Sequence, residues 1–543
     1  MPPPSYASGP STTALLGDTI GGLLARIAAE YPDREALVVP HQQLRLTFTE
    51  LLARADEVAR GLSAVGVAPG DRVAIWAANR VEWVLVQYAT ARLGAILVNV
   101  NPAYRAHELG FVLRQSGTSV LICERELRGA DFAAMVDEVR ADCPDLRQVV
   151  LLDTPDWPRL IAGGDGSSAL PAGLDPDDPI NIQYTSGTTG FPKGATLTHH
   201  NIVNNGYFTG ALCGYTNADR VCVPVPLYHC FGMVMGVLGA HSHGAAVVLP
   251  APSFDPVSTL AAVAAERCTS LYGVPTMFIA MLAAPTFAGT DLTSLRTGIM
   301  AGSPCPVEVM KRVVAEMHMP DVTICYGMTE TSPVSTQTRA DDDLERRVAS
   351  VGRVHPHVEV KVVDPATGRL VDRGLPGELC TRGYSVMRGY WRDPDKTAEA
   401  IDPAGWMRTG DLAVMDADGY VAIVGRSKDM VIRGGENIYP REVEEFLYAH
   451  PDIEDVQVIG VPDPRYGEEL MAWVRLRPGA PDLTLEALHA YCAGRLAHFK
   501  VPRYLRLVDA FPMTVTGKVR KVQMRAESVQ LLGLDADSTL PTA

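Results

Sequence analysis

Hydrophobic positions along the first third of the chain follow two alternating periods. One apolar set is spaced by four and three positions, as on the buried face of a helix: Leu51, Ala55, Val58, Leu62 and Val65. Continuous apolar runs predict buried strands between such helices: DRVAIWAAN (71–79), AILVNVN (95–101) and SVLICE (119–124). Strands that alternate with helices predict a parallel sheet, whose ligands bind at the carboxyl ends of the strands.

The pattern changes after residue 350. Three short runs separated by turn residues predict a small β-rich subdomain: VEVKVVD, GELCTRG and GYVAIVGR. The last hundred or so residues read as helix, two strands and a second helix that carries Leu485, Leu488, Cys492 and Leu496. The predicted fold class is therefore α/β, with a large N-terminal domain of parallel-rich sheets (1–427) and a small α+β C-terminal domain (428–543).

Composition excludes several classes of protein. A chain of 543 residues exceeds what one core usually supports, and its net charge of −15 argues against a nucleic-acid partner. No apolar run approaches the roughly 18 residues of a membrane helix, so no transmembrane segment is expected. The start lacks the features of a secretory signal, and the cysteines show no CxxC pair. We therefore expect a cytoplasmic protein without a zinc site or disulfide framework.

The segment YTSGTTGFPKGA (184–195) follows a predicted strand and is the first candidate for chemistry. Glycines let backbone N–H groups converge on one point, hydroxyls add donors, and Lys193 adds a positive charge suited to phosphate. A bare SGTTG would fit an ordinary surface loop equally well, and the spacing is not that of a Walker A loop. The added PKG after a strand favours phosphate binding.

Six segments in order resemble the signature motifs of the adenylate-forming superfamily, which includes acyl-CoA synthetases, aryl-CoA ligases and luciferases. They are YTSGTTGFPKG (184–194), PLYHCFG (226–232), YGMTE (326–330), TGD (409–411), GRSKDMVIRGGENIYPREVE (425–444) and TGKVRK (516–521). The resemblance spans roughly Leu37 to Lys521. It implies that a carboxylate attacks the α-phosphate of ATP to give an acyl-adenylate and pyrophosphate, after which a thiol displaces AMP.

The resemblance implies a set of nucleotide-binding residues: Thr185, Ser186, Gly187, Thr188, Thr189, Gly190, Lys193, Tyr326, Gly327, Thr329, Asp411, Arg426 and Lys518. Within it, residues 185–193 would hold the β- and γ-phosphates, and Thr329 the α-phosphate. Tyr326 would lie against the adenine, and Asp411 would accept the ribose hydroxyls. Glu330 would help to hold Mg²⁺, since Mg²⁺ binds through one or two carboxylates plus substrate phosphates.

The resemblance also implies catalytic roles for Lys518, Arg426 and His229. Lys518 would bridge the carboxylate and the α-phosphate, a role that suits a compact ammonium. The acyl pocket would include His229 and Phe231.

The same resemblance implies a C-terminal domain that moves between the two steps. Lys428 would be its hinge, and Gly434 and Gly435 would line the tunnel for coenzyme A.

Each of these residues also has a purely structural explanation when taken alone. Asp411 could cap a turn, Tyr326 could be a packed aromatic, and Lys518 could be a solvated charge. His199 and His200 read as cap or surface residues, and Cys230 as a packing residue. The joint pattern favours the functional interpretation.

The remaining questions are which carboxylic acid is activated and which thiol accepts the acyl group. With only a short tail after Lys521, we expect free coenzyme A as the acceptor rather than an attached carrier domain. The segments around residues 226–250 and 268–310 look closest to medium-chain fatty-acyl-CoA synthetases, with an aryl- or other carboxylic-acid–CoA ligase as the alternative. A third hypothesis, a non-catalytic nucleotide-binding protein, is disfavoured by the intact charged residues. The partners expected are ATP, coenzyme A and a small carboxylic acid, and a homodimer is left open.

Overall fold

Sheets and helices alternate through the part of the chain that the computed structural model describes, which comprises residues 3–164, 166, 169–185, 192–303, 305–426, 429–433, 436–513 and 519–534. Its contacts group into two units. One consists of Ala7–Val360 and Cys380–Arg408; the other consists of Met1–Tyr6, Lys361–Leu379 and Thr409–Ala543. The domain boundary expected between residues 427 and 428 lies outside the described residues and stays a prediction.

Sheet A contains the first strands that the sequence predicts. Its strand order is Gly389–Tyr390, Lys193–Thr198, Pro179–Thr185, Ile96–Asn99, Arg72–Trp76, Thr118–Cys123 and Gln148–Leu151. The last five strands of this order pair in parallel, as alternation with helices predicts. Pro179–Thr185 and Lys193–Thr198 instead form an antiparallel hairpin.

Sheet B lies in the same unit and is also parallel through its centre. Its strand order is Arg353–Val354, Val334–Gln337, Asp321–Gly327, Thr297–Ala301, Ser270–Gly273, Arg220–Cys222, Ala246–Val248, Glu35–Val39 and Leu44–Thr47. Antiparallel pairs occur at both ends of this order. Mixed sheets of this kind are common in large α/β proteins.

Helices of this unit cover and connect sheets A and B. They are Ile20–Glu30, Phe48–Ala64, Val81–Leu93, Ala106–Ser116, Phe132–Arg140, Asp156–Ala162, His199–Leu212, Gly239–His241, Pro256–Ala265, Pro275–Leu282, Val307–Glu316, Leu344–Ala349 and Pro394–Ala400. Short 3₁₀ turns lie at Pro40–Gln42, Phe287–Gly289 and Thr329–Thr331, and Phe231–Leu238 is a π-helix. Helix His199–Leu212 contacts a strand of sheet A, a strand of sheet B and the π-helix, so it packs between the layers.

Local sequence explains where these helices begin and what they bury. Thr47 accepts a hydrogen bond from the Glu50 N–H while the Glu50 carboxylate accepts one from the Thr47 N–H, forming a capping box. Leu51 and Val58 on the predicted apolar face are fully buried, whereas Val65 lies just beyond the helix end. The periodicity therefore predicted this helix and its buried face correctly.

The predicted β-rich segment forms sheet C. Its strand order is Tyr6–Ser8, Val358–Val363, Gly377–Gly383, Met407–Met415 and Val421–Arg426. A further small antiparallel pair joins Glu126–Leu127 to Ala130–Asp131.

The C-terminal part contains sheet D, formed by Glu436–Ile438, Val431–Arg433, Gly467–Leu476, Ile453–Asp463 and Tyr504–Leu507. Its helices are Pro440–Tyr448, Leu485–Cys492 and Lys521–Leu532, with a 3₁₀ turn at His498–Lys500. The predicted α+β character is confirmed. The second predicted helix is shorter than expected, because it ends at Cys492 and leaves Leu496 outside.

Membrane helices and disulfides are the two features on which composition gave expectations. Within the residues that the structure describes, no helix is long and apolar enough to cross a membrane. All ten cysteines lie among the described residues, and each is buried and outside any disulfide bond.

Candidate active site

The predicted phosphate loop is flanked by the hairpin of sheet A. Strand Pro179–Thr185 ends where Thr185 pairs with Lys193, the first residue of the return strand. The predicted loop residues Ser186, Gly187, Thr188, Thr189 and Gly190 lie outside the described residues. The structure therefore describes the two ends of the loop, each of which carries a predicted phosphate-binding residue.

Glu330 is a buried carboxylate close to this hairpin. It lies in the 3₁₀ turn Thr329–Thr331 and is only 5% exposed. The Tyr390 hydroxyl donates to Glu330 Oε1 at 2.9 Å, and the Thr185 hydroxyl lies 3.4 Å from the same oxygen. Among the described residues, no lysine or arginine forms an ion pair with Glu330. A buried carboxylate held by hydroxyls and lacking a paired cation is suited to bind one.

Lys193 faces the same tyrosine from another direction. Its Nζ lies over the Tyr390 ring, 5.0 Å from the ring centroid. Burial raises the pKa of the Tyr390 phenol, and the nearby Glu330 carboxylate raises it further, so this hydroxyl stays a proton donor. The arrangement places a positive and a negative charge around one aromatic side chain.

The YGMTE motif crosses the carboxyl end of a strand of sheet B. Strand Asp321–Gly327 carries Tyr326, which is half-buried, and Thr329 is buried two residues after the strand. A Cβ on Gly327 would lie 1.7 Å from the Pro333 carbonyl oxygen, so only glycine fits there. The motif residues therefore lie where α/β sheets bind ligands, at strand ends.

His229 and Phe231 lie at the start of the π-helix. The His229 Nδ1 accepts a hydrogen bond from the Phe231 N–H at 3.1 Å, which fixes this turn. The Phe231 ring stacks on Tyr272 with a centroid separation of 5.6 Å. All residues of the π-helix are buried, and π-helical turns occur frequently at functional sites.

A buried polar link joins this turn to the hairpin, and the sequence analysis did not predict it. Gln183 Oε1 accepts hydrogen bonds from the Cys230 backbone N–H and thiol, both at 3.1 Å. The Gln183 amide donates to Met233 Sδ at 3.0 Å, as does the Asn99 amide at 3.1 Å. Burial raises the pKa of the Cys230 thiol, with a further rise from Glu330, which agrees with a neutral packing role.

His199 differs from its prediction. It was expected at a cap or on the surface, but the cap is Thr198, and His199 is buried. Its Nδ1 accepts a hydrogen bond from the Ile20 N–H at 3.1 Å. Burial lowers the pKa of His199 to about 4, so the ring is neutral at physiological pH. The side chain joins two helices and takes no part in the candidate site.

In the other unit, the structure pairs Asp411 with Arg426. The two residues are cross-strand partners in sheet C, and the Asp411 N–H donates to the Thr409 hydroxyl at 3.1 Å. Gly410 has a φ of 72° and its N–H donates to Glu378 Oε1 at 3.2 Å. The TGD motif is therefore a strand segment whose backbone conformation is held by these hydrogen bonds and by the positive φ of Gly410. The Arg426 side chain lies outside the described part of the structure.

Several predicted residues lie outside the described ranges altogether: Lys428, Gly434, Gly435 and Lys518. Their roles stay predictions. On either side of the two glycines, Arg433 and Glu436 are paired in sheet D.

The donor set near Glu330 fits a magnesium ion that is bound mainly through substrate. No cluster of three or more histidine, cysteine or acidic side chains suited to a metal is present within the described ranges. Among the described residues, the carboxylate that lies beside the hairpin is that of Glu330. Mg²⁺ commonly keeps several waters and binds through one or two carboxylates plus substrate phosphates, so the set is compatible with it.

Two family models match the chain. The model of the AMP-binding enzyme matches residues 24–391, and that of the AMP-binding enzyme C-terminal domain matches residues 442–518. The chain belongs to the AMP-binding enzyme family. The enzymes of this family that it resembles are acyl-CoA synthetases and ligases, and the chain is accordingly an AMP-forming acid–thiol ligase.

Relatives in the AMP-binding enzyme family align over nearly the whole chain. YngI of Bacillus subtilis (strain 168), named as an acyl-CoA synthetase, is 48% identical over 96% of this chain and 99% of its own. The mitochondrial medium-chain acyl-CoA ligase ACSF2 of Danio rerio is 44% identical over 98% of this chain and 91% of its own. The crystal structure of the anthranilate CoA ligase AuaEII in complex with anthranoyl-AMP superposes with a TM-score of 0.88 at 27% identity, covering 96% of this chain and 99% of that one.

Sequence reasoning missed Gln183 and Tyr390, and the reason is physical. Gln183 looks like one polar residue within a strand, and its partners lie 47 and 50 positions away. Tyr390 contacts Glu330, which lies 60 positions earlier in the sequence, and Lys193, which lies on the neighbouring strand of sheet A. No local period or spacing signals contacts of that range.

Proposed function

We propose that this AMP-binding enzyme activates medium-chain fatty acids with ATP and Mg²⁺ and transfers the acyl group to coenzyme A. The observation that carries the proposal is the pair of charges around Tyr390. A buried carboxylate that forms no ion pair among the described residues and a lysine at the end of the phosphate-loop hairpin together suit MgATP. The apolar π-helix and the similarity to a medium-chain acyl-CoA ligase support the choice of acid.

In the first step, an oxygen of the fatty-acid carboxylate attacks the α-phosphorus of ATP and pyrophosphate leaves. Lys193 offsets the charge of the β- and γ-phosphates, and the hydroxyls of Thr185, Ser186, Thr188 and Thr189 donate hydrogen bonds to them. Lys518 holds the carboxylate against the α-phosphate, and Thr329 contacts that phosphate. Glu330 would help to hold Mg²⁺, which when bound would neutralise phosphate charge. These roles come from the family resemblance; of the residues that carry them, the structure describes Thr185, Lys193, Thr329 and Glu330.

In the second step, the thiol of coenzyme A attacks the acyl carbonyl carbon and AMP leaves with the bond electrons. Asp411 and Arg426 hold the ribose during both steps. Lys428 is the hinge for a movement that brings Gly434 and Gly435 to the thiol path. Electrostatic preorganisation and positioning are the main contributions of the protein, because no covalent enzyme intermediate is needed.

The acid pocket is proposed to lie along the π-helix. Its residues Phe231, Met233, Val234 and Met235 are apolar and buried, and methionine adapts to flexible chains. The second candidate is an aryl acid, favoured by the structural similarity to an anthranilate CoA ligase. A straight alkyl chain fits the unbranched, adaptable methionines better than a rigid ring does.

Product analysis with omission of each component tests the proposal. Octanoate, ATP, Mg²⁺ and coenzyme A together are expected to give octanoyl-CoA and AMP by mass spectrometry, whereas each omission abolishes the thioester. Octanoyl-adenylate should accumulate when coenzyme A alone is omitted. Formation of ADP in place of AMP, or no thioester with any straight-chain acid, would contradict the proposal.

Two further assignments, the domain boundary and the cellular location, accompany this function as proposals. The chain works as a domain of residues 1–427 and a C-terminal domain of residues 428–543, in the cytoplasm.

A further inference from the structure

One tyrosine contacts both charged groups of the candidate site. The Tyr390 hydroxyl donates to Glu330 Oε1 at 2.9 Å, while the Lys193 ammonium lies over the face of its ring at 5.0 Å from the centroid. In the part of the chain that the structure describes, the ammonium contacts this ring rather than a carboxylate. Two opposite charges in one buried region are thus separated by an aromatic side chain.

The backbone fixes Tyr390 independently of those two contacts. Strand Gly389–Tyr390 lies at the edge of sheet A, where Tyr390 pairs with Ala195. The Tyr390 N–H donates to the Thr397 hydroxyl at 2.9 Å. Gly389 has a φ of 146°, and a Cβ there would lie 2.8 Å from Thr397, so glycine is required. The backbone position of Tyr390 is therefore set by contacts other than those with Lys193 and Glu330.

The separation matters because a direct ion pair would compete with the ligand. If Lys193 paired with Glu330, phosphate and metal would each have to break that pair before binding. An ammonium on a ring face makes a weaker contact than one on phosphate oxygens, so it leaves the ring readily when phosphate binds. The Tyr390 and Thr185 hydroxyls both contact Glu330 Oε1, so the other carboxylate oxygen accepts no hydrogen bond from the described residues.

We propose that Tyr390 is a positioning residue that orients Glu330 toward Mg²⁺ and keeps Lys193 available to the phosphates of ATP. This inference rests on the proposed nucleotide site but not on the identity of the acid. The Tyr390 hydroxyl affects the metal through Glu330, and the ring affects the phosphates through Lys193. Substitutions that remove the hydroxyl alone or the whole ring can therefore separate the two functions.

The simpler alternative is that Tyr390 is an ordinary packed aromatic whose hydroxyl only satisfies a buried carboxylate. In that case its loss would lower stability without a selective effect on metal. The two interpretations differ in the dependence of ATP affinity on Mg²⁺, which a purely structural role leaves unchanged. That dependence is measured by binding and needs no turnover.

Titration calorimetry of ATP, without acid or coenzyme A, tests the proposal on the full chain. Each protein is titrated once with Mg²⁺ and once with EDTA. The variants are Tyr390→Phe, which keeps the ring, and Tyr390→Leu, which removes ring and hydroxyl. Tyr448→Phe is the matched control, because the Tyr448 hydroxyl also donates to a carboxylate, that of Asp455, in the C-terminal part of the chain.

The proposal predicts a different defect for each variant. Tyr390→Phe should weaken MgATP binding about tenfold, as loss of an outer partner of a metal ligand typically does, and leave metal-free ATP binding within about twofold. Tyr390→Leu should also weaken metal-free ATP binding by about threefold or more, because Lys193 then pairs with Glu330. Tyr448→Phe should match the wild type in both titrations.

The proposal would be overturned if Mg²⁺ increased the ATP affinity of the Tyr390→Phe variant as much as it increases that of the wild type. Equal weakening of both titrations by Tyr390→Phe, together with a lower Tm, would establish the packing role instead. If the Leu variant does not fold, the Phe variant decides alone. A failure to make octanoyl-CoA would contradict the proposed acid but leave these affinities unchanged, so the two failures are distinguishable.

Discussion

Glu330 is the single residue on which the proposed chemistry depends most. It is buried, it accepts from the Tyr390 hydroxyl, and no ion pair to it occurs among the described residues. We expect Glu330→Gln to keep the hydrogen bond and the volume but to remove the charge that a divalent cation needs. The rate of ATP–pyrophosphate exchange should fall about 100-fold, and excess Mg²⁺ should recover part of it. Exchange that is unchanged over a Mg²⁺ titration would rule out Glu330 as the metal ligand.

His199 predicts how stability depends on pH. Its pKa is lowered to about 4 by burial, against an ordinary value of 6.5, so the unfolded chain takes up this proton first on acidification. The stability that the neutral ring contributes is complete above pH 6.5 and is lost as the pH falls toward 4. His199→Gln should therefore show a smaller drop in Tm between pH 7 and pH 4.5 than the wild type. An identical drop in both proteins would contradict this role.

The link between the hairpin and the π-helix is the first prediction at the scale of elements. Gln183 bonds the Cys230 N–H and thiol and the Met233 sulfur, so it joins the strand before the phosphate loop to the proposed acyl wall. Gln183→Met should raise the KM for the acid about tenfold, because it leaves buried donors unsatisfied. The KM for ATP should change much less. In a double-mutant cycle, Cys230→Ala should add little to Gln183→Met; full additivity would show that the two side chains act independently.

Gly327 tests the close approach at the end of its strand. A Cβ there would lie 1.7 Å from the Pro333 carbonyl oxygen, so Gly327→Ala must displace the YGMTE segment or the strand that follows it. We expect a cost of about 3 kcal/mol and loss of ATP binding. Gly17→Ala is the matched control, since no atom lies within 4 Å of its added Cβ, and it should leave Tm unchanged. Wild-type ATP affinity in Gly327→Ala would contradict the crowded geometry.

At the same scale, the sequence predicted single helices and strands better than it predicted which of them contact one another. Continuous apolar runs identified three buried strands of sheet A, because burial on both faces leaves few polar positions. Strand Lys193–Thr198 was missed, since KGATLT contains too many polar residues to be recognised by hydrophobicity alone. The π-helix was not predicted either, because an all-apolar run does not distinguish helix types. Contacts such as that of Tyr390 with Glu330 depend on the assembled sheet.

For the whole molecule, the motifs predicted the enzyme class while the structure described only part of the site. The six segments indicated the family that the comparisons then established, and the structure brings the Thr185 hydroxyl to the Glu330 carboxylate. The order and spacing of the six motifs are properties of the family, so they could be recognised in the sequence before the fold was known. Tyr390 and Gln183 were not readable, because they act through side chains that are close only after folding.

Lys518 carries the prediction about the two half-reactions. Lys518→Ala should lower the rate of adenylation at least about 100-fold, because a positive charge at the α-phosphate is lost in the transition state. Thioester formation from supplied octanoyl-adenylate and coenzyme A should change by less than about threefold. Lys428→Pro should show the reverse pattern, since proline restricts a hinge. Equal losses in both half-reactions for either variant would contradict the assigned role.

The most direct test of the central claim is the acid specificity of the intact enzyme. It requires kcat/KM for straight-chain acids from butyrate to palmitate and for benzoate and anthranilate, at fixed ATP, Mg²⁺ and coenzyme A. The account predicts a maximum near octanoate to decanoate, with the aryl acids at least about tenfold lower, as expected when a flexible apolar wall binds an alkyl chain. A maximum at benzoate or anthranilate would contradict it.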